Sequence, residues 1–168
     1  VNLAQMSEIY EKYPNIRLII AHIGRAYVPE DIGNAFDLLD KAPDMMMDFT
    51  ANCTESVIEE TLRRRGRKHL MFGSDMPILR MRMKRITEDG RYINLVPPGL
   101  YGDVSDDPHM REVSEEEGQK LTFFLYEELL AFKKASEKLG LSRQDIEDVM
   151  YNNAMQYIRG ACASIYGA

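Results

Sequence analysis

The sequence predicts an α/β fold built around a parallel sheet. Three short apolar runs, at residues 17–21, 45–49 and 69–72, lack the apolar/polar alternation of a half-exposed strand. Continuous apolar runs of this length are typical of strands that are covered on both faces. Segments with helical spacing lie between them, and this alternation indicates right-handed crossover connections between parallel strands.

The helices are expected before and between the strands. Residues 4–13 precede the first strand, residues 31–41 separate the first from the second, and residues 56–65 separate the second from the third. A basic run at residues 63–68 ends this last helical segment, just before the third strand. Cations there would complement the negative end of the helix dipole, so the run is interpreted as structural rather than as a nucleic-acid site.

The pattern breaks after the third strand. Residues 80–114 read as a loop insertion that is irregular from about residue 87, with Pro97-Pro98-Gly99 within it. A loop of this length inside a compact domain is either functional or disordered. Residues 115–139 then predict one long amphipathic helix, with Gly140 as its stop, Ser142 as the next N-cap and a final helix over residues 143–159.

Length and composition limit the classes of function. A chain of 168 residues with 45% hydrophobic residues suits a single domain over residues 1–168. A net charge of −6 argues against a nucleic-acid partner, and no apolar stretch is long enough to suggest a membrane partner. Cys53 and Cys162 are too few for a disulfide framework, so free thiols and a cytoplasmic location are expected.

Two titratable side chains come directly after predicted strands. His22 follows the first apolar run, and Asp75 lies in Phe72-Gly73-Ser74-Asp75-Met76-Pro77 after the third. The carboxyl ends of parallel strands meet at one edge, where ligands bind in such folds. A carboxylate and an imidazole suit a metal-activated water. Taken singly, His22 would equally serve as a cap, and Asp75 as a turn residue.

Other polar residues have weaker claims. Arg25 and Arg80 follow the two strand ends and are predicted to bind a substrate carboxylate, although either would equally form a surface ion pair. His69 begins its strand and should lie at the opposite end of the sheet. His109 is interpreted as a solvated loop residue rather than a ligand. Asp48 stands in an apolar strand and needs a partner there.

The order of these segments resembles that of the amidohydrolase-2 family. The carriers of the resemblance are residues 18–24, 47–51, the Phe-Gly-Ser-Asp-x-Pro element at 72–77 and, more weakly, residues 152–154. The resemblance implies the C-terminal portion of an eight-stranded (β/α)8 TIM barrel, with strands six to eight in residues 1–79. The loop at 80–114 and the helices of 115–168 would complete the chain.

The resemblance also implies a chemistry. Asp75 matches the position of the last metal-binding aspartate of the family, and His22 matches a histidine that acts beside the metal-bound water. The implied function is hydrolysis or decarboxylation of a small, carboxylated molecule with a divalent metal, with zinc expected ahead of manganese.

The resemblance leaves part of the site unaccounted for. The histidine ligands of the family's first and fifth strands have no counterpart in this chain, so these residues alone lack the ligand set of a tight metal site, and a chain without bound metal is one alternative. The alternatives are a catalytically silent fragment that assembles through open sheet edges, for example as a homodimer, and a doubly wound ligand-binding domain. The latter has little support, because no glycine-rich phosphate loop follows a strand.

Overall fold

Three short parallel strands form the sheet that the sequence predicts. The computed structural model describes residues 2–42 and 44–166, and the side chains of residues 4–42 and 44–166. The strands are β1 (Ile19–Ile20), β2 (Met46–Asp48) and β3 (Leu70–Met71), in the order β1-β2-β3. All neighbours are parallel, which confirms the predicted sheet. The described residues form an open sheet and no closed barrel.

The first helices flank this sheet. They are α1 (Asn2–Lys12), α2 (Pro29–Ile32), α3 (Ala35–Leu39) and α4 (Glu55–Arg65). The single helix predicted over residues 31–41 was wrong, since two short helices occupy this region. Gly33 separates them at φ 49° and ψ −127°, a conformation outside the helical region that glycine adopts readily.

A second sheet occupies the segment that was predicted as an irregular loop. It comprises β4 (Lys84–Glu88), β5 (Arg91–Val96) and β6 (Met110–Glu112), with β4 and β5 antiparallel and β5 and β6 parallel. The prediction was therefore wrong over these residues. Asp89 and Gly90 make the hairpin turn at φ 49° and 72°. An Asp-Gly pair between two strand-like runs is a strong hairpin signal that the interpretation overlooked.

The long helix predicted over residues 115–139 is interrupted. The structure contains α5 (Glu115–Lys120) and α6 (Phe124–Leu139), joined by three extended residues. These residues pair with the chain around Arg82, whose guanidinium group donates to the carbonyls of Gly118, Gln119 and Leu121. Tertiary hydrogen bonds therefore end α5, and the local sequence at residues 121–123 contains no proline or glycine that would predict this end.

Among the C-terminal helices, α6 ends and the next helix begins at the residues that the sequence predicts. Gly140 ends α6 in the left-handed conformation at φ 64°, and the Ser142 side chain accepts a hydrogen bond from the next helix, so both predictions are confirmed. The last helical region comprises α7 (Arg143–Glu147), a π-helical turn over Asp148–Asn152 and α8 (Asn153–Tyr166). The π turn presents the Val149 carbonyl to the Phe72 N–H at 2.9 Å, which anchors it to the end of β3.

Four arginines of the basic run make contacts within the fold. Arg65 is buried and donates to the carbonyl oxygens of Leu39, Ala42 and Met45 at the end of α3 and beyond it. Its neighbours form ion pairs: Arg63 with Glu59, Arg64 with Asp37 and Asp40, and Arg67 with Asp145. The cations are thus engaged within the fold.

Two hydrophobic clusters hold these layers together. The larger lies between the β1-β2-β3 sheet and its helices, with Phe49, Ile58 and Phe132 among its buried members. The smaller joins the second sheet to the carboxyl ends of the strands, through residues such as Leu79 and Val96. The second sheet therefore covers the edge where ligand-binding residues are expected. Among the described residues, every helix is too short or too polar to pass through a bilayer.

Candidate functional site

A cavity of about 370 Å³ lies at the carboxyl ends of the parallel strands. Three of the predicted site residues line it: His22 after β1, Asp75 after β3, and Arg25. The remaining lining residues are Tyr27, Ala51, Ile78, Met81, Met83, Arg85, Asn94, Met110 and Phe124. We call this space the carboxyl-end cavity. The parallel topology therefore brings His22 and Asp75 to one site.

His22 is held through both its backbone and its ring. Its backbone N–H donates to Asp48 Oδ1 at 2.8 Å, and its ring Nδ1 lies 3.2 Å from the Thr50 carbonyl oxygen. Because a carbonyl only accepts, this hydrogen bond places the proton of a neutral ring on Nδ1. Nε2 then keeps its lone pair, which is the form needed by a base or a metal ligand.

Asp48 has the partner that the sequence left open. Its Oδ1 accepts hydrogen bonds from the backbone N–H groups of His22 and Thr50, at 2.8 and 3.1 Å. The carboxylate therefore ties the end of β1 to the end of β2. The apolar strand β2 carries this one aspartate because the turns after β1 and β2 need an acceptor for their backbone N–H groups. These contacts of Asp48 are therefore structural.

The backbone around the cavity adopts conformations that most side chains avoid. His22, Ile23, Arg25, Ala51 and Asp75 have φ values of 58°, 50°, 66°, 55° and 41°. In the described part of the chain they make up all but one of the non-glycine residues with positive φ. Such residues cost energy, most of all a β-branched one, and they concentrate at functional sites. The pattern marks this edge of the sheet as the candidate site.

Gly73 explains one position of the Phe-Gly-Ser-Asp element. A Cβ atom at this residue would clash with the hydroxyl oxygen of Thr50, so the ends of β2 and β3 approach too closely for a side chain. The following turn carries Asp75 into the exposed mouth of the cavity, and the Met76–Pro77 peptide is cis. The glycine thus sets the distance between two elements of the site.

Glu128 is a buried residue behind the cavity, in contact with Ala51, that the sequence interpretation missed. It lies in α6, is fully buried, and its Oε2 accepts a hydrogen bond of 2.6 Å from the Ala51 N–H. Its Oε1 has no partner among the described residues. Burial raises the pKa of the Glu128 carboxyl to about 8, and the negative charges of Asp48 and Asp75 act in the same direction. A glutamate on the apolar face of α6 was the available signal.

Arg85 is the second residue that was missed. It lies in β4, lines the cavity, and donates from Nε to Asn94 Oδ1 at 2.9 Å and from Nη1 to the Ala51 carbonyl at 2.5 Å. Its guanidinium carbon lies 4.0 Å from the ring centroid of Tyr27. Burial lowers the pKa of Arg85, because the charged form is desolvated. Its segment was interpreted as loop, so nothing indicated that it would return to the site.

Three other candidates lie outside the carboxyl-end cavity. Arg80 is exposed in a short 3₁₀ turn and is not among the described residues that line the cavity. His109 stacks on Tyr92 at 4.0 Å between centroids, with its Nδ1 3.0 Å from the Tyr92 carbonyl. His69 lies at the amino end of β3, as its position predicted, with Nδ1 2.8 Å from the Arg65 carbonyl. The site therefore gathers Arg25 and Arg85 rather than Arg25 and Arg80.

The donors of the cavity suit a divalent cation in kind. A carboxylate and an imidazole nitrogen with a free lone pair are both common ligands, and catalytic zinc uses three protein ligands. No group of three or more such donors occurs within residues 2–42 and 44–166. The described residues of the cavity therefore offer an incomplete ligand set, even if His22 is counted with Asp75.

Comparison with known proteins gives a family. The family model Amidohydro_2, described as amidohydrolase, matches residues 1–159. No curated protein and no solved structure matches the chain. The match spans all three parallel strands and the Phe-Gly-Ser-Asp-x-Pro element. The chain therefore belongs to the amidohydrolase-2 family.

Proposed function

We propose that the carboxyl-end cavity belongs to the active site of a metal-dependent hydrolase or decarboxylase that acts on a small carboxylated molecule. The observation that carries this proposal is the convergence of His22 and Asp75 on one cavity at the carboxyl ends of parallel strands. Family membership supports the reaction class. In this proposal β1, β2 and β3 are the last three strands of a (β/α)8 barrel.

Each residue has a distinct role in the proposed reaction. Asp75 would bind the cation through its carboxylate, and His22 would accept or return a proton at Nε2, since Nδ1 is occupied by the Thr50 carbonyl. The cation, when bound, lowers the pKa of a coordinated water toward about 7. We propose zinc ahead of manganese, because the further ligands that the family resemblance implies are histidines, and imidazole is a favoured zinc ligand. Further donors would come from outside the described set.

Zinc titration against a competing chromophoric chelator tests this proposal. We expect the chain to bind zinc weakly, and Asp75→Asn to lose at least about tenfold in affinity, because a carboxylate ligand becomes a neutral amide. Asp44→Asn is the matched control, since Asp44 is an exposed aspartate near the opposite end of the strands. Equal affinity in wild type and Asp75→Asn would contradict the assignment.

A second candidate function is assembly through the open sheet. β1 and β3 are the outer strands, and Ile19 in β1 is 47% exposed although its strand is apolar. Exposed edge strands pair with other chains. If the chain forms a homodimer in this way, light scattering after size exclusion should give twice the chain mass. Ile19→Lys should then give the mass of a monomer. A monomer mass for the wild-type chain would remove this candidate.

A further inference from the structure

Arg85 carries a half-buried positive charge without a negative partner in the described part of the chain. The guanidinium group has five N–H donors, and two of them are used, on Asn94 Oδ1 and on the Ala51 carbonyl. It forms no ion pair with any described aspartate or glutamate, in contrast to Arg64 or Arg111 on the surface. Both of its known partners are neutral. Its charge is therefore uncompensated.

The surroundings of Arg85 are aromatic. Its guanidinium carbon lies 4.0 Å from the ring centroid of Tyr27, 4.8 Å from that of Phe124 and 4.9 Å from that of Tyr92. Aromatic faces attract a cation, which helps to hold the guanidinium in place. They also exclude water, so an anion that reaches the remaining N–H groups meets little competition from solvent. The side chain is thus both fixed and available to a ligand.

The cavity supplies the rest of a small binding site. Its apolar wall is formed by Ile78, Met81, Met83 and Phe124, and its rim carries Arg25, a second cation. Small-molecule sites commonly combine apolar walls with a few fixed polar groups. A guanidinium group binds a carboxylate through two parallel N–H···O bonds. The site therefore has the features that recognise a carboxylate attached to a compact apolar body.

We infer that Arg85, rather than Arg80, is the residue that binds the carboxylate of the substrate in the carboxyl-end cavity. This inference rests on the proposed function of the same site and adds a specificity-determining residue to it. In this inference the second sheet contributes to function, because β4 of the β4–β5 hairpin places the Arg85 guanidinium group at the carboxyl ends of the parallel strands. The Ala51 carbonyl links Arg85 directly to the turn after β2.

Benzoate and benzamide are suitable probes, because they share one shape and differ in charge. Each is titrated into the metal-free chain at constant ionic strength, while the side-chain Nε–Hε signals of arginine are followed by NMR. We expect benzoate to bind at least about tenfold more tightly than benzamide and to shift the Arg85 signal. Equal affinities, or a shift confined to other arginines, would overturn the inference without any variant.

Variants separate recognition from a structural role. Arg85→Met should abolish the preference for benzoate, and Arg85→Lys should retain a part of it, because a lysine keeps the charge but loses the planar fork. Arg80→Met is the control and should bind benzoate as the wild type does. Unchanged preference in a folded Arg85→Met, checked by its amide spectrum, would leave Arg85 as a structural residue only. Should that variant unfold, Arg85→Lys and the wild-type titrations still decide the question.

The two proposals fail in distinguishable ways. Asp75→Asn removes the proposed metal ligand but leaves Arg85 in place, and the benzoate preference should persist in it without metal. Persistence together with unchanged zinc affinity would overturn the metal role and keep the carboxylate site. Loss of zinc in Asp75→Asn, with no benzoate preference in any form of the chain, would keep the metal role and overturn the inference about Arg85.

Discussion

The two ends of the parallel strands each carry a cavity, and the two cavities differ in how their polar groups are partnered more than in their size. The larger cavity, of about 740 Å³, lies at the amino ends and is lined by residues that include Arg17, Asp44, His69 and Tyr157. We call it the amino-end cavity. The carboxyl-end cavity has about half that volume. The contrast lies in how the polar groups of each cavity are partnered.

Several polar groups at the amino end are used within the fold. His69 Nδ1 lies 2.8 Å from the Arg65 carbonyl, and the Tyr157 hydroxyl donates to the Leu18 carbonyl at 3.1 Å. Arg17 lies over the Tyr157 ring at 5.3 Å. The carboxyl end instead combines left-handed backbone with two groups that are incompletely partnered among the described residues: Arg85, which has no carboxylate beside it, and the buried Glu128, one of whose oxygens accepts no hydrogen bond. Strain and unused polarity, rather than volume, distinguish the end to which we assign the proposed function.

The largest effect should come from the carboxylate that ties two strand ends together. Asp48→Ala removes two hydrogen bonds to a charged acceptor, and we expect the free energy of unfolding to fall by roughly 3 kcal/mol. Asp48→Asn keeps an acceptor oxygen and should lose much less. Urea denaturation measures both. A loss after Asp48→Ala no larger than that after Asp44→Ala, at the amino end, would erase the contrast between the two ends.

Close approach of β2 and β3 gives the second prediction. Gly73→Ala places a methyl group against the Thr50 hydroxyl, and we expect a loss of about 2 kcal/mol in unfolding free energy from overpacking. Thr50→Ala in the same chain removes the clashing oxygen and should recover most of the loss. The double variant is compared with Thr50→Ala alone. Failure of the second substitution to rescue the first would place the strain elsewhere.

Glu128 predicts a dependence of stability on pH. Its pKa is raised in the folded state, to about 8, so the unfolded chain loses this proton first as pH rises. The free energy of unfolding should therefore fall between about pH 4.5 and about pH 8, by on the order of 1–2 kcal/mol once relaxation around the charge is allowed for. Glu128→Gln should remove this part of the slope. An identical slope in both proteins would contradict the assignment.

The smallest effect is expected at the amino end. Tyr157→Phe deletes one hydrogen bond, to the Leu18 carbonyl, and should cost about 0.5–1.5 kcal/mol in thermal or urea unfolding. Because we assign no binding role to this end, zinc affinity and benzoate preference should stay at their wild-type values. A change in either would show that the two ends are not independent.

The sequence predicts those parts of the site that follow from local pattern. The convergence of His22 and Asp75 on one cavity was predictable because each lies just past the end of a short apolar run, and parallel strands bring such positions to one edge. Gly140 and Ser142 were found because helix ends carry local signals. These predictions need no knowledge of distant contacts.

The residues that were missed depend on tertiary structure. Arg85 reaches the site because an Asp89-Gly90 hairpin folds a supposed loop back over the strand ends, and Arg82 ends α5 through carbonyls more than 35 residues away in sequence. Glu128 lies on an apolar helix face, and only its contact with Ala51 reveals its role. Arg80 was chosen by its distance in sequence from a strand end, which says little about where a side chain points.

Paramagnetic broadening by Mn²⁺ tests the central claim most directly, because it locates a bound divalent cation on the chain itself. We predict that NMR amide signals of His22, Ala51 and Asp75 broaden first, that Asp75→Asn prevents this, and that Asp44→Asn does not. Broadening centred on Asp44 and His69, or the same broadening in Asp75→Asn as in the wild type, would contradict the claim that the carboxyl-end cavity is the functional site.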